Sequence, residues 1–315
     1  MASLQGKTLK VLFLCLSAVV MVLLAAEIIL RVFFGFANQP IYVTDDDIGY
    51  LLKADQHVRF LGKTYSCNKY HQRSEELMDE PDYRILMVGD SLLHGVHPVD
   101  QHETIPELLE ARINRELGLN GEVLNASAPS WSIDNELEYV KRFGLFEADV
   151  VILVINNADI YQEKSTPEYL YATGRHTKRP FSALYELYRE FFKKDDSSYI
   201  SKPEDATEIF NRHRKMIFQD LAGMVKRAGN KFILVMIPPE RKNTKTGTTE
   251  LVYNSKSLSS TTEEEEFMVI DFVNGPSPIE KGDYLDQIHM NKKGNQRIAD
   301  IIYEQVHEII ARGKL

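Results

Sequence analysis

The sequence predicts an α/β fold: a mostly parallel five-stranded sheet wrapped by helices and preceded by one N-terminal transmembrane helix. Three observations carry this. Short apolar runs alternate with amphipathic stretches from residue 85 onward, the pattern of strands and helices in a parallel sheet. Val150–Ile155 is an unbroken apolar run, as expected of a strand covered on both faces. Val11–Ala26 carries no charge, and Leu9–Phe36 is long enough to cross a bilayer core of about 30 Å.

Taken in order, the anchor comes first. Glu27 and Arg31 sit four apart on one helix face near its far end, where they can pair. A cleavable signal peptide is the rival reading. Ala25-Ala26-Glu27 offers a weak cleavage site, but apolar sequence continues past it, which favours a retained anchor. Lys7 and Lys10 precede the span and only Arg31 closely follows it. The positive-inside rule then expects a single-pass protein of the cell membrane, N-terminus cytoplasmic and the rest extracytoplasmic. Residues 1–37 form this segment. Residues 38–81 are polar and mixed without a long period, and read as an extended collar.

Residues 82–315 carry the regular alternation. Strands are expected at Ile85–Val88, Glu122–Asn125, Val150–Ile155, Lys231–Ile237 and Phe267–Phe272. Thr104-Ile-Pro-Glu107 reads as a capping box opening a helix with Ile105, Leu108, Leu109, Ile113 and Leu117 on one face. Further helices are expected at Ile133–Phe143, Glu204–Ala228 and Lys292–Ala311. Two segments interrupt the pattern. An insertion at about 160–203 has Phe181, Leu184, Tyr185, Tyr188 and Phe192 at helical spacing, expected to pack on the core rather than serve a glycan or a membrane. Residues 240–266 read as a solvated loop.

Composition excludes several classes. With 37 basic against 46 acidic residues, the net charge of −9 argues against binding nucleic acid. Two cysteines, Cys15 and Cys67, are too few for a disulfide scaffold or a zinc cluster. No glycine-rich phosphate loop is present. His94, His97 and His102 read as solvated loop histidines rather than metal ligands.

Two short motifs bear chemistry. Gly89-Asp90-Ser91 follows the first strand of the sheet, where a serine hydroxyl is exposed at the carboxyl edge and backbone N–H groups can face an oxyanion. Such turns also use these residues for conformation alone. Asp286-Gln-Ile-His289 precedes the last helix. An imidazole that accepts a serine proton needs a partner to fix its tautomer, and an aspartate three residues upstream can supply it. The bland reading is a surface loop.

Together these segments resemble the SGNH (GDSL-type) hydrolase family of esterases, lipases and acetyltransferase domains. Arg84-Ile-Leu-Met-Val-Gly-Asp-Ser91 is similar to its first block, and Asp286–His289 with Asn291 and Gly294 to its last. Val123–Trp131 resembles the second block, usually close to N-x-G-x-P-G, and Val151–Ile160 the third. Ile48–Lys53 and Asn68–Arg73 resemble the segment preceding the domain in membrane-anchored bacterial members. The resemblance implies a flavodoxin-like three-layer fold, with Ser91 as nucleophile, His289 as base and Asp286 orienting it. Ser91, Ser127 and Asn157 would form the oxyanion hole. Ser127 stands at the second-block glycine, and the third-block asparagine falls on Ala158, one residue after Asn157. The implied function is a membrane-anchored serine esterase or O-acyl (acetyl) transferase acting on an ester, such as an acylated envelope glycan, with no cofactor or metal. The alternative is a catalytically degenerate member that binds glycan or scaffolds an envelope polysaccharide complex. The sequence names no protein partner.

Overall fold

The computed structural model describes residues 2–96, 99–156, 159, 162–173, 175–192, 208–238, 240–242, 249–251, 268–272 and 279–312. The chain begins with helix α1 (Ala2–Ile29), continued by a wider helical turn over Leu30–Phe34. Within it, Thr8–Phe34 is long and apolar enough to cross a membrane, and none of it is buried in the protein. Glu27 and Arg31 pair at 2.7 Å, as their spacing predicts. Gly35 ends the helix at φ 74°, and its hydrogen faces the Arg59 carbonyl so closely that no side chain could be added there.

Residues 42–67 fold as two antiparallel hairpins, β1 (Tyr42–Asp45) with β2 (Gly49–Leu52) and β3 (Gln56–Phe60) with β4 (Lys63–Cys67). The segment expected to be an extended collar is thus built into the domain. Ile48, Tyr50, Leu51 and Leu52 belong to the main apolar core. Arg73, also fully buried, donates to the carbonyls of His94, Gly95 and Val99.

The sheet takes β5 (Arg84–Gly89), β6 (Glu122–Ser127), β7 (Val150–Asn156), β8 (Lys231–Ile237) and β11 (Met268–Asp271). All neighbours are parallel, in the order β11-β8-β7-β5-β6. Counted along the chain this is 2-1-3-4-5, the flavodoxin-like order. A short separate hairpin joins β9 (Glu240–Lys242) to β10 (Thr249–Leu251) within the stretch expected to be loop. Period-two alternation sends Leu86, Val88, Leu124, Val151 and Leu153 to one face and Ile85, Met87, Val123, Ile152 and Val154 to the other. The first face packs under α4 (Ile133–Phe143) and α7 (Glu208–Arg227), and the second under α3 (Ile105–Leu117) and the C-terminal helix α8 (Lys292–Arg312). This is a three-layer α/β fold.

Helix α3 starts where the sequence predicts, but without the expected capping box. The Thr104 hydroxyl donates to the Gln101 carbonyl at 3.0 Å, so Asp100 and Glu103 form the box one turn earlier, around a short 3-10 turn.

On α3, burial pushes the Glu110 carboxyl up to about 7, against the pull of the Val123 N–H that donates to it at 2.8 Å. A carboxyl raised on folding contributes stability that is present below its unfolded value near 4.5 and lost as pH climbs through about 7. Glu110→Gln keeps an acceptor for Val123. It should match the parent in urea melts near pH ~4 and exceed it near pH ~8, by up to about 3 kcal/mol. Equal curves at both pH values would show that Glu110 is not the titrating group.

Candidate active site

The sheet order reverses between β5 and β7, and a ligand crevice opens outside the carboxyl ends of strands at such a point. Ser91 and Asn156 stand there. Gly89 ends β5 because a side chain at that position would press on the Val154 carbonyl of β7, at 2.8 Å. Asp90 caps the short helix α2 (Ser91–His94), accepting from the Leu92 N–H at 2.9 Å, which turns the Ser91 hydroxyl outward at the helix start.

His289 arrives from the turn before α8. Its backbone N–H and that of Ile288 each reach Asp286 Oδ1 at 2.8 Å, and Leu285 N–H donates to the His289 carbonyl at 2.7 Å. The imidazole is thereby fixed: Nδ1 lies 2.7 Å from Asp286 Oδ2, and Nε2 lies 3.0 Å from Ser91 Oγ. Burial works to raise the Asp286 carboxyl. The hydrogen bonds from His289 and Ile288 outweigh it and hold Asp286 below the usual carboxylate value. Residues 198 positions apart thus form one hydrogen-bonded chain, Asp286–His289–Ser91.

A cleft of about 370 Å³ opens over Ser91 and His289. Asn156 and Ser130 line it. Ser127 does not: it is buried, with its hydroxyl donating to Asn125. Ser130 has φ 65°, the left-handed conformation that glycine adopts most easily. The signal was present in the sequence, since the final glycine of N-x-G-x-P-G falls on Ser130. Asn157 and Ala158 lie outside the described residues. Asn156 ends β7, and its amide reaches Asp90 Oδ2 at 3.2 Å and Asp159 Oδ1 at 3.1 Å.

Three buried carboxyls lie behind Ser91. Burial pushes Asp90, Asp159 and Glu136 up, and Asp90 adds a like-charge push on the other two. For Asp90 the Leu92 N–H and His289 pull the other way. Among the histidines singled out in the sequence, His94 is buried beside Tyr42, not solvated, and burial drives its value well down. His102 is exposed, and His97 lies outside the described residues. Among the described residues no cluster of metal-ligating side chains occurs.

The insertion builds one wall. Tyr169, on α5 (Pro167–Ala172), donates to Ser130 Oγ at 2.8 Å, and Gln162 and Ser165 donate to the Ser130 carbonyl. Asn135 holds this wall to the domain, accepting from the Ser132 and Ser165 N–H groups and donating to the Ile48 and Ser165 carbonyls.

No protein-family profile matches the sequence, and no curated protein matches it. Solved structures similar to the chain include TesA, with 14% identity over 72% of this chain and 99% of that one, TM-score 0.45. The acetyl xylan esterase AlAXEase matches at 13% identity over 71% and 99%, TM-score 0.45. The lipase/acylhydrolase from Enterococcus faecalis matches at 16% over 72% and 96%, TM-score 0.45.

Proposed function

We propose that this chain is an SGNH-type serine ester hydrolase or O-acyl transferase, held by α1 at the outer face of the cell membrane. The observation that carries the reading is the chain from Asp286 through His289 to Ser91 Oγ, with bonds of 2.7 and 3.0 Å, at the mouth of a cleft. In this mechanism Ser91 Oγ attacks the ester carbonyl carbon while His289 Nε2 takes its proton. The oxyanion turns toward the Ser91 and Ser130 N–H groups and the Asn156 amide. His289 then protonates the departing alkoxide, leaving an acyl-serine. Water, or a sugar hydroxyl, takes the acyl group with His289 again as base. The cleft wall supports an acylated glycan as substrate: Gln162, Glu163, Lys164, Thr166 and Glu168 offer hydrogen bonds suited to a polyhydroxylated partner.

A fluorophosphonate probe tests the reaction, read by mass spectrometry of the labelled peptide. Modification at Ser91 is expected. An unlabelled Ser91 in folded protein would leave the binding or scaffolding role.

Topology is tested separately. A reporter fused after Leu315 should be active outside the cytoplasm, and the protein should stay with membranes through alkaline washing. A soluble product beginning at Glu27 would replace the anchor with a signal peptide.

A further inference from the structure

Helix α6 (Ala183–Phe192) does not pack its aromatic stripe on the core, as its spacing in the sequence suggested. Its inward face is Ala183, Glu186 and Leu187, set against Phe36 and Phe60. The outward stripe is Phe181, Tyr185, Tyr188 and Phe192, joined by Phe191. Phe181, Phe191 and Phe192 are 84, 77 and 70% exposed. Such a contiguous exposed aromatic face calls for an occupant.

The location of α6 identifies that occupant. Glu27, inside the apolar span, caps α6: its carboxylate accepts from the N–H groups of Ala183 at 2.8 Å and Leu184 at 2.9 Å and from Ser182 Oγ at 3.0 Å. Arg31, its partner on the next turn, also donates to the Phe181 carbonyl. These bonds fix the depth of α6 relative to the anchor. If the bilayer core begins at Val11, just past Lys10, about 20 residues at 1.5 Å each carry it to Leu30. Glu27 then lies about 5 Å inside the outer boundary, at the depth of helices that lie in the interface. The tip of the β3–β4 hairpin adds to the same rim, with Leu61 exposed and its N–H on the Phe34 carbonyl at 2.6 Å. Lys178 and Arg179, exposed just before α6, suit anionic headgroups.

We propose that α6 lies in the outer leaflet beside the anchor, with Phe181, Tyr185, Tyr188, Phe191 and Phe192 buried among lipid acyl chains and headgroups. The proposal rests on the reading of α1 as a retained anchor. Because the same insertion supplies the cleft wall from Gln162 to Tyr169, lipid contact also sets the height of the cleft above the membrane.

The test uses full-length protein in vesicles of phosphatidylcholine and phosphatidylglycerol, in a Cys15→Ser background with Cys67 left buried. An environment-sensitive dye is attached in turn at Val20→Cys, Tyr188→Cys, Phe192→Cys and, on α3, Arg115→Cys. Dye at 188 and 192 should be quenched at least about twofold more than at 115 by a doxyl group near the lipid carbonyls. Dye at 20 should respond to a deep doxyl group instead. Glu27→Ala, which removes the cap, should cut the quenching at 188 and 192. Quenching at 20 with none at 188 or 192 overturns the proposal while keeping the anchor, and points to a protein partner for the stripe. Loss of quenching at 20 overturns the anchor and the proposal together.

Discussion

Ser91→Ala should lower turnover of a small activated ester by about 10⁴-fold or more and abolish fluorophosphonate labelling. Among the described residues lining the cleft, Ser91 carries the hydroxyl within hydrogen-bond reach of His289 Nε2. His289→Ala should be nearly as damaging, since Nε2 at 3.0 Å is positioned to take the hydroxyl proton. Asp286→Asn should cost up to about 10⁴-fold, because an amide at 2.7 Å from Nδ1 favours the wrong tautomer. Residues that act as a unit are not additive, so the Ser91→Ala/His289→Ala double variant should be no worse than Ser91→Ala alone. Circular dichroism must show each variant folded. Folded variants with parental turnover would remove the triad assignment.

Asn156→Ala should lower kcat by about 10²–10³-fold with little change in KM, the signature of a donor used in the transition state more than in the ground state. The resting amide is held to Asp90 and Asp159 at 3.2 and 3.1 Å, the long end of the hydrogen-bond range, and Asn156 lines the cleft beside Ser91. Unchanged kcat in folded Asn156→Ala would discard this donor, and Asn157→Ala would be the next variant to measure.

The parts of the fold that were legible in sequence have strong local signals. The apolar run of β7, the start of α3 and the bounds of α4 and β8 followed from periodicity and from proline and other breakers. The segments carrying Ser91, Asp286 and His289 were singled out by motif and chain order, and the fold brings the three side chains together. The hairpins at 42–67 were not legible. Their strands are four or five residues long and bury polar residues such as Gln56 and Ser66 beside apolar ones, so the brief alternation at Val58 and Phe60 is too short to mark them. The stripe on α6 was legible as a stripe. Period alone says which residues share a face, not whether that face turns inward, and here small Ala183 and Glu186, which accepts from the Ala37 N–H, take the inner side. Ser127 was named where Ser130, three residues on, lines the cleft; Asn157 lies outside the described residues, and its neighbour Asn156 lines the cleft. A parallel ladder carries Ser127 into the sheet opposite Gly89, whereas the bend at Ser130, φ 65°, opens onto the cleft.

Asn135 has a consequence for how the molecule comes apart. One side chain joins the start of α4 to Ile48, 87 positions earlier, and to Ser165, 30 positions later. Removing it would strand several buried polar groups at once, each costing about 1–3 kcal/mol. The wall of the cleft is therefore no appendage that frays at low energy. Opening it costs those bonds, which couples the hairpin, the helix start and the insertion.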